Sequence, residues 1–320
     1  MLDKIAKVME ASDKIAIMPH MSADGDAIGS SLALVLALNE MKKDSRVILE
    51  EKIPFVYGFL PDGGLSAVFH DMGKQNARFD TVVAVDCGDI ERLGGRKEIF
   101  GKASVTVNID HHPTNTSFAE YNFIDAEASA TAEIVYRLLG LLNVKAGRDT
   151  ATCLYTAIAA DTGGFRYGNT TPLTHNIAAE LIKSGVDVAQ VSERIFDSVS
   201  YEKVKLTGAA IDTLELIENG RVAVMTLPRD LIQKTGAGDE DFDGIINTAR
   251  SIRGVDVAVM LRQTLDGDIK VSLRSNSRVD VSEIARAYSG GGHKKAAGYT
   301  ADGTLAEAKD SLINSIRKVL

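Results

Sequence analysis

Four places in this sequence gather histidine and aspartate at spacings that could do chemistry. The first is His20-Met21-Ser22-Ala23-Asp24-Gly25-Asp26, where one imidazole and two carboxylates share a short segment. Asp86 is the second, Asp110-His111-His112 the third, and Asp161, in Asp161-Thr162-Gly163-Gly164, the fourth. Imidazole and carboxylate donors without thiolate suit a borderline-hard divalent ion, Mn2+ most naturally, with Mg2+, Co2+ or Zn2+ as alternatives. Roughly seven donor atoms are too many for one tetrahedral site. They match two ions that share a carboxylate. At about 3.5–4 Å apart, such ions activate a water and clamp the attacking and leaving oxygens of a phosphoryl transfer. The spacing does not divide the donors between the ions. Taken singly, each cluster also has a plainer reading: Asp86 as a helix N-cap, Asp161 as turn chemistry, His112 as a surface residue. Their joint occurrence, in a chain with six histidines, favours a site.

The elements that must position these residues follow from periodicity. Residues 14–18, 46–49, 81–85 and 104–109 are short apolar or β-branched runs, read as buried strands. Helical patterns at 27–42, 129–142 and 149–160 alternate with them. The alternation predicts an α/β domain, a parallel sheet with helices on both faces. Three of the four clusters then follow strand C-termini, the rim where such sheets bind ligands; the fourth follows the helix 149–160. Further helices are expected at 171–184, 188–199 and 201–217. The later part reads as strands at 221–226, 255–263 and 268–274, with a hairpin turn at Asp266-Gly267, and helices at 281–288 and 305–319. Residues 1–185 are expected to form the catalytic domain, 186–210 a helical linker, and 211–320 a smaller α/β domain.

The chain has 320 residues, 45% hydrophobic and 25% charged, an ordinary globular composition. Its net charge of −8 argues against a general nucleic-acid coat protein. Residues 211–320 hold 15 Lys+Arg against 16 Asp+Glu, so most of the negative charge lies earlier. Residues 270–295 carry six basic and two acidic residues, a local patch suited to a phosphate. Two cysteines make no disulfide framework, and no stretch reads as a signal peptide or approaches the roughly 18 apolar residues of a membrane span. A cytoplasmic protein is expected. Within the basic segment, Gly290-Gly291-Gly292-His293-Lys294-Lys295 could let backbone N–H groups approach an anion, or be a flexible hairpin or helix terminus. Arg274, at the end of a predicted strand, could grip a phosphate in bidentate fashion or form a strand-end salt bridge.

The segments HMSADGDAIGSSLAL (20–34), VDCGD (85–89), NIDHH (108–112) and ADTGGFRYGNTT (160–171) closely resemble, in this order, the four motifs of the DHH phosphoesterase superfamily. VSLRSNSRVDVSEIA (271–285) and GGGHKKAAG (290–298) resemble the C-terminal substrate domain of one branch, the bacterial oligoribonucleases or nanoRNases, which also dephosphorylate 3′-phosphoadenosine 5′-phosphate. Ser22-Ala23 stands where the family usually has Asn-Pro, at positions that are not ligands. The resemblance implies that His20, Asp24 and Asp86 hold one ion, and that Asp26, Asp86, His111 and Asp161 hold a second, with Asp86 bridging. His112 looks like the histidine that faces the scissile phosphate, and Asp110 like a buried residue that orients its neighbours. Implied substrate contacts are Arg274, Ser275, Gly291, Gly292 and His293.

The expected activity is hydrolysis of short oligoribonucleotides such as pApA to mononucleotides, and of 3′-phosphoadenosine 5′-phosphate to AMP. Cyclic di-AMP hydrolysis is the alternative within the same chemistry, and a non-catalytic nucleotide sensor is the alternative outside it. All six implied ligands are present, which speaks against the sensor. Members of the family often form homodimers, of which the sequence itself carries no sign.

Overall fold

The computed structural model describes residues 1–72, 78–264, 266–276 and 278–320; Ser277, within the 271–285 motif, lies outside the described residues. The chain divides into two compact units, Met1–Ser198 and Val199–Leu320. Among the described residues, no helix is long and apolar enough to cross a membrane.

The first unit is built on strands β1 (Lys14–Pro19), β2 (Asp44–Leu49), β3 (Ser66–Val68), β4 (Thr81–Val85), β5 (Val105–Asp110) and β6 (Tyr121–Ile124). They form one parallel sheet in the order β3-β2-β1-β4-β5-β6. Every residue of β4 is buried, as a central parallel strand with both faces covered requires. Alternate residues of β1 serve opposite faces. Ile15 and Ile17 pack with helices α1 (Leu2–Ala11), α2 (Gly25–Glu40), α4 (Thr131–Leu141) and α5 (Arg148–Asp161). Ala16 and Met18 face a thinner layer that includes the 3-10 turn Ile90–Arg96 and the short α3 (Lys97–Phe100). Helices α6 (Pro172–Lys183) and α7 (Val188–Ser192) complete the unit, followed by a π-helical turn, Glu193–Asp197, where the sequence pattern predicts continued α-helix.

Strand order reverses between β1 and β4, which makes the crevice at their carboxyl ends the expected ligand position. Register sharpens this. Pro19, Val85 and Ile109 lie side by side across β1, β4 and β5, and the next residues in the chain are His20, Asp86 and Asp110.

The second unit has strands β7 (Glu215–Ile217), β8 (Val222–Leu227), β9 (Val257–Gln263), β10 (Ile269–Ser275), β11 (Gly291–His293) and β12 (Ala296–Ala301), in the order β11-β12-β10-β9-β8-β7. Among the described residues of this sheet, only β8 and β9 pair in parallel. Helices α11 (Val281–Arg286) and α12 (Leu305–Arg317) cover one face. Helices α8 (Tyr201–Asp212), α9 (Arg229–Thr235) and α10 (Ile246–Arg250) cover the β8–β9 part of the other.

Two local expectations differ from the structure, and the open reading of the GGGH segment resolves to a hairpin. The helix expected at 201–217 stops at Asp212, and Glu215–Ile217 forms a strand. Glu218, Asn219 and Gly220 all have positive φ, and this tight turn folds the segment back onto β8. The GGGH segment is a strand, β11, paired with β12. Residues 186–210 are largely helical but divided: Val191 of α7 packs in the first unit's core, and Leu206 and Ala210 of α8 in the second's.

Candidate active site

Each acidic or imidazole side chain reaches the rim by an identifiable local device. The Asp24 carboxylate caps α2, accepting from the N–H groups of Asp26 and Ala27. This turns the start of α2 over the end of β1. Asp86 follows β4 with φ 55°, a left-handed conformation uncommon outside glycine; its N–H donates to Ile109 O. Asp161 comes from the far end of the sequence because α2 and α5 pack unusually closely. A Cβ on Gly25 would sit 2.5 Å from that of Ala160, and one on Gly29 2.5 Å from Cys153 O. The two glycines therefore let the end of α5 meet the start of α2.

Together these devices bring all six expected ligands to one place. Three triplets, His20–Asp24–Asp86, Asp26–His111–Asp161 and Asp86–His111–His112, each have ligand atoms within 4.8 Å of one another. Individual separations are telling. His20 Nε2 lies 3.5 Å from Asp86 Oδ2 and 3.9 Å from Asp24 Oδ1. His111 Nε2 lies 3.6 Å from Asp86 Oδ1, 3.7 Å from Asp161 Oδ2 and 3.9 Å from Asp26 Oδ2. These gaps exceed a hydrogen bond of about 2.7–3.2 Å. Two ligands on one cation at about 2.1 Å, by contrast, stand roughly 3.0–4.2 Å apart.

The imidazoles are held so that Nε2 faces the acids. His20 Nδ1 lies 2.7 Å from Met21 O and 3.0 Å from Arg92 Nη2. A carbonyl only accepts and a guanidinium only donates, so one tautomer satisfies one contact. We assign Nδ1–H to the shorter, so that Nε2 faces Asp24 and Asp86: protonated, it carries charge toward Asp86, and once deprotonated it offers a lone pair there. His111 Nδ1 likewise lies 3.2 Å from Ala128 O. Such outer partners fix the tautomer that a metal-ligating histidine needs.

Asp110 is fully buried and organises its neighbours. Oδ1 accepts from the His111 N–H at 2.9 Å and from His112 Nδ1 at 2.7 Å, and Oδ2 accepts from Asn115 Nδ2 at 2.5 Å. That hydrogen bond from His112, with the charges of Asp86 and Asp110, raises the His112 pKa to about 9. Burial opposes ionisation of Asp86, but the three imidazoles around it prevail and hold its pKa down at about 2. The other acids go the opposite way. Burial, then repulsion from Asp86 and Asp24, pushes Asp161 up to about 6 despite His111. Burial and the charges of Asp86, Asp161 and Asp24 raise Asp26 well above the carboxylate range. Carboxylates crowded together at such cost are the donor set that a cation would relieve, so the residues present fit divalent ions. Cys87 adds no nucleophile: burial pushes its thiol up to about 12.

The structure also adds residues that the sequence motifs did not single out. Asp26 accepts from Ser30 Oγ at 2.9 Å and from the N–H groups of Thr131 and Ala132 at 2.6 and 3.0 Å, so its carboxyl oxygens satisfy the N-terminus of α4. Thr131 Oγ1 donates to Asp86 Oδ1 at 2.9 Å. Asn115 ties Asp110 to Asn108 and Cys87 O. Asn115 lies in a loop and Thr131 at a helix start, and nothing in the surrounding sequence points to either.

In the second unit, Arg274 on β10 lies opposite Ala296 on β12, which lies opposite His293 on β11. Directly opposed residues share a face, so Arg274 and His293 flank a small alanine on one side of the sheet. Gly298 and Gly291, the next opposed pair on that face, extend this smooth floor. Ser275, next along β10, is buried at 3% exposure, and its N–H donates to Lys295 O. Two of the three glycines serve the backbone. A Cβ on Gly290 would lie 2.3 Å from Gly298 O, and one on Gly292, at φ 135°, 2.5 Å from Ala296 O. Nothing lies within 4 Å of a Cβ on Gly291.

A parallel sheet whose carboxyl rim gathers imidazoles and carboxylates from four segments has the build of a metallohydrolase. This chain belongs to the DHH family: residues 14–158 match the DHH family, N-terminal domain, and residues 219–320 the DHHA1 domain. It is 34% identical to the bifunctional oligoribonuclease and PAP phosphatase NrnA of Thermus thermophilus, over 99% of this chain and 93% of that protein. Its fold is similar to that of an exopolyphosphatase-related protein from Bacteroides fragilis, with a TM-score of 0.94, 27% identity and coverage of 99% and 95% of the two chains. It is also 25% identical to the cyclic-di-AMP phosphodiesterase PdeA of Listeria monocytogenes, over 98% of this chain but 48% of that longer protein.

Proposed function

We propose that this chain is a metal-dependent phosphoesterase that hydrolyses short oligoribonucleotides, from di- to pentanucleotides, to mononucleotides, and 3′-phosphoadenosine 5′-phosphate to AMP. The observation that carries this reading is the assembled donor set, in a chain similar over nearly its full length to an oligoribonuclease and PAP phosphatase. His20, Asp24 and Asp86 would hold one divalent ion. Asp26, Asp86, His111 and Asp161 would hold a second, with Asp86 shared. Mn2+ suits these donors best, and Mg2+ or Co2+ also fit. Bound there, paired ions supply an activated water and stabilise charge on the phosphoryl oxygens.

The chain's own residues do the rest. Asp110 positions His111 and His112 together. His112, its ring held by Asp110, donates a hydrogen bond from Nε2 to a phosphate oxygen when protonated and stabilises the charge that develops there. Arg274 and His293, with the backbone at Gly291 and Gly292, take a further phosphate of the substrate; Ser275, buried on the opposite face of β10, takes no part. The two cysteines are free and buried, in keeping with the reducing cytoplasm where we place the protein.

The test is product analysis with Mn2+ on pApA, a pentanucleotide, a 24-nucleotide RNA, 3′-phosphoadenosine 5′-phosphate and cyclic di-AMP. Turnover should be highest on the shortest RNA and fall steeply toward the longest. Preference for cyclic di-AMP, or equal kcat/KM on pApA and the long RNA, would overturn the reading.

A further inference from the structure

A cavity in the first unit, about 430 Å3 in volume, is not used by the metal cluster. Its lining includes Tyr155, Phe165, Arg166, Ser192, Phe196 and Asp197, and its size falls within the roughly 300–1,000 Å3 of small-molecule sites. It opens beside the cluster in the chain: Gly164 and Phe165, part of its wall, lie three and four residues beyond Asp161.

The aromatic walls are held in place at some conformational cost. Phe165 has φ 65°, strained for a bulky side chain, at the end of a turn in which Gly163 and Gly164 have φ 57° and 69°. Its ring is stacked on His175 at 5.3 Å and lies 5.8 Å from Tyr155. Phe196 comes from the π-helical turn Glu193–Asp197, a rare geometry that is frequent at functional sites. Its ring touches Gly164, where a Cβ would come within 3.3 Å of it, yet it remains 38% exposed. Arg166 stands with its guanidinium carbon 5.7 Å from the Phe196 centroid, while its Nε donates to Gly163 O at 2.6 Å.

Flat π-surfaces, a guanidinium, and the polar atoms of Ser192 and Asp197 at the rim form a surface for a planar heterocycle with hydrogen-bonding edges. We propose that this cavity is a nucleobase subsite, which stacks one base of the substrate against Phe196 and Phe165 beside Arg166. The inference rests on the nucleotide substrates proposed above. Stacking of this kind tolerates any base, because every base has a π-face.

The experiment compares a 5′-phosphorylated di-adenylate with its two mono-abasic counterparts, in the wild type and in Phe196→Ala and Phe196→Tyr. Loss of one aromatic stack corresponds to about 5- to 150-fold. Phe196→Ala should lose kcat/KM in that range on the di-adenylate and less than about twofold on the abasic substrate that lacks the stacked base. Phe196→Tyr should recover most of the loss, with metal content unchanged in both variants. Binding is read separately from turnover, by quenching of 2-aminopurine at either position of the dinucleotide in EDTA. Quenching in the wild type that disappears in Phe196→Ala supports the subsite, even if no substrate is cleaved and the hydrolase reading falls. Cleavage with no such quenching, or with equal losses on all three substrates, overturns the subsite and leaves the hydrolase reading standing.

Discussion

At the rim of the first unit, Asp26 accepts three hydrogen bonds and Asp110 three more, and both side chains are buried. In the second unit, His293 is exposed on the edge strand β11 and Arg274 is half-buried on β10, two strands further in. The first region spends its surroundings on holding acids together against their own repulsion. The second uses glycines to close a hairpin and leaves two long cationic or polar arms over a small-residue floor. The contrast teaches where each kind of chemistry belongs. Groups that are to share an ion must converge within about 0.5 Å, a placement that strand ends and helix ends tied by buried bonds can give. Phosphate contacts tolerate adjustment, so they can ride on a strand edge.

Asp86 is where the contrast should break most completely. It belongs to two of the three donor triplets and also receives Thr131 Oγ1. Asp86→Ala should abolish turnover and give the greatest loss of bound Mn2+ of any single ligand variant, measured by elemental analysis of the purified protein. Full activity with two ions retained would remove the rim from the mechanism.

Arg274→Ala and His293→Ala probe the other side. A charge-assisted hydrogen bond is worth roughly 1.5–3 kcal/mol, or about 10- to 150-fold. Each variant should lose kcat/KM in that range on a dinucleotide, far more than on a small activated phosphodiester lacking the second phosphate, and keep its metal. Equal losses on both substrates, or lost metal, would move these residues into the catalytic centre or into fold stability.

Asn115→Ala tests whether the rim depends on its buried ties. The Asn115 side chain bonds to no expected ligand: Nδ2 donates to Asp110, Asn108 and Cys87 O, and Oδ1 accepts from the Ser117 N–H. Outer partners of this kind typically carry about 10- to 100-fold in activity or metal affinity. Such a loss should appear with both substrates alike, unlike that of Arg274→Ala. Wild-type kinetics would show that the Asp110 tie is dispensable.

The smallest effect concerns repulsion among the acids. A carboxyl raised to about 6 in the folded protein binds more protons than in the unfolded chain between the two pKa values. In the absence of metal, its contribution to stability is therefore greatest below about pH 4 and is lost as pH rises through 6. Asp161→Asn should then stabilise EDTA-treated protein at pH 7.5 by on the order of 1–3 kcal/mol, and by little at pH 4. With Mn2+ the order should reverse, because the wild type gains a ligand that the variant lacks. Melting temperatures at the two pH values, with and without metal, decide it. A variant no more stable than the wild type in EDTA at pH 7.5 would mean that the acids are not in conflict.

Much of the rim was legible in the sequence because its key steps are local. A strand that ends in His20, Asp86 or Asp110 delivers that residue to the carboxyl edge whatever the rest of the chain does, and the runs 14–18 and 81–85 mark those strands plainly. The DHH-type motifs added which residues to expect as ligands. What lay beyond the sequence depends on partners far apart along it. The hydrogen bonds from Thr131 to Asp26 and Asp86 join residues 105 and 45 positions apart, and they exist only once strand order and helix packing are set. Asp161 reaches the cluster because Gly25 and Gly29 let two helices touch, a fact about distance that no local pattern carries. The same holds for Gly290 and Gly292, whose freedom suggested anion binding but is taken up by the closeness of β12. Residue type and periodicity determine which groups an element end can present. Only the packed chain decides which of them meet, because close contact is a property of the whole sheet and not of any segment within it.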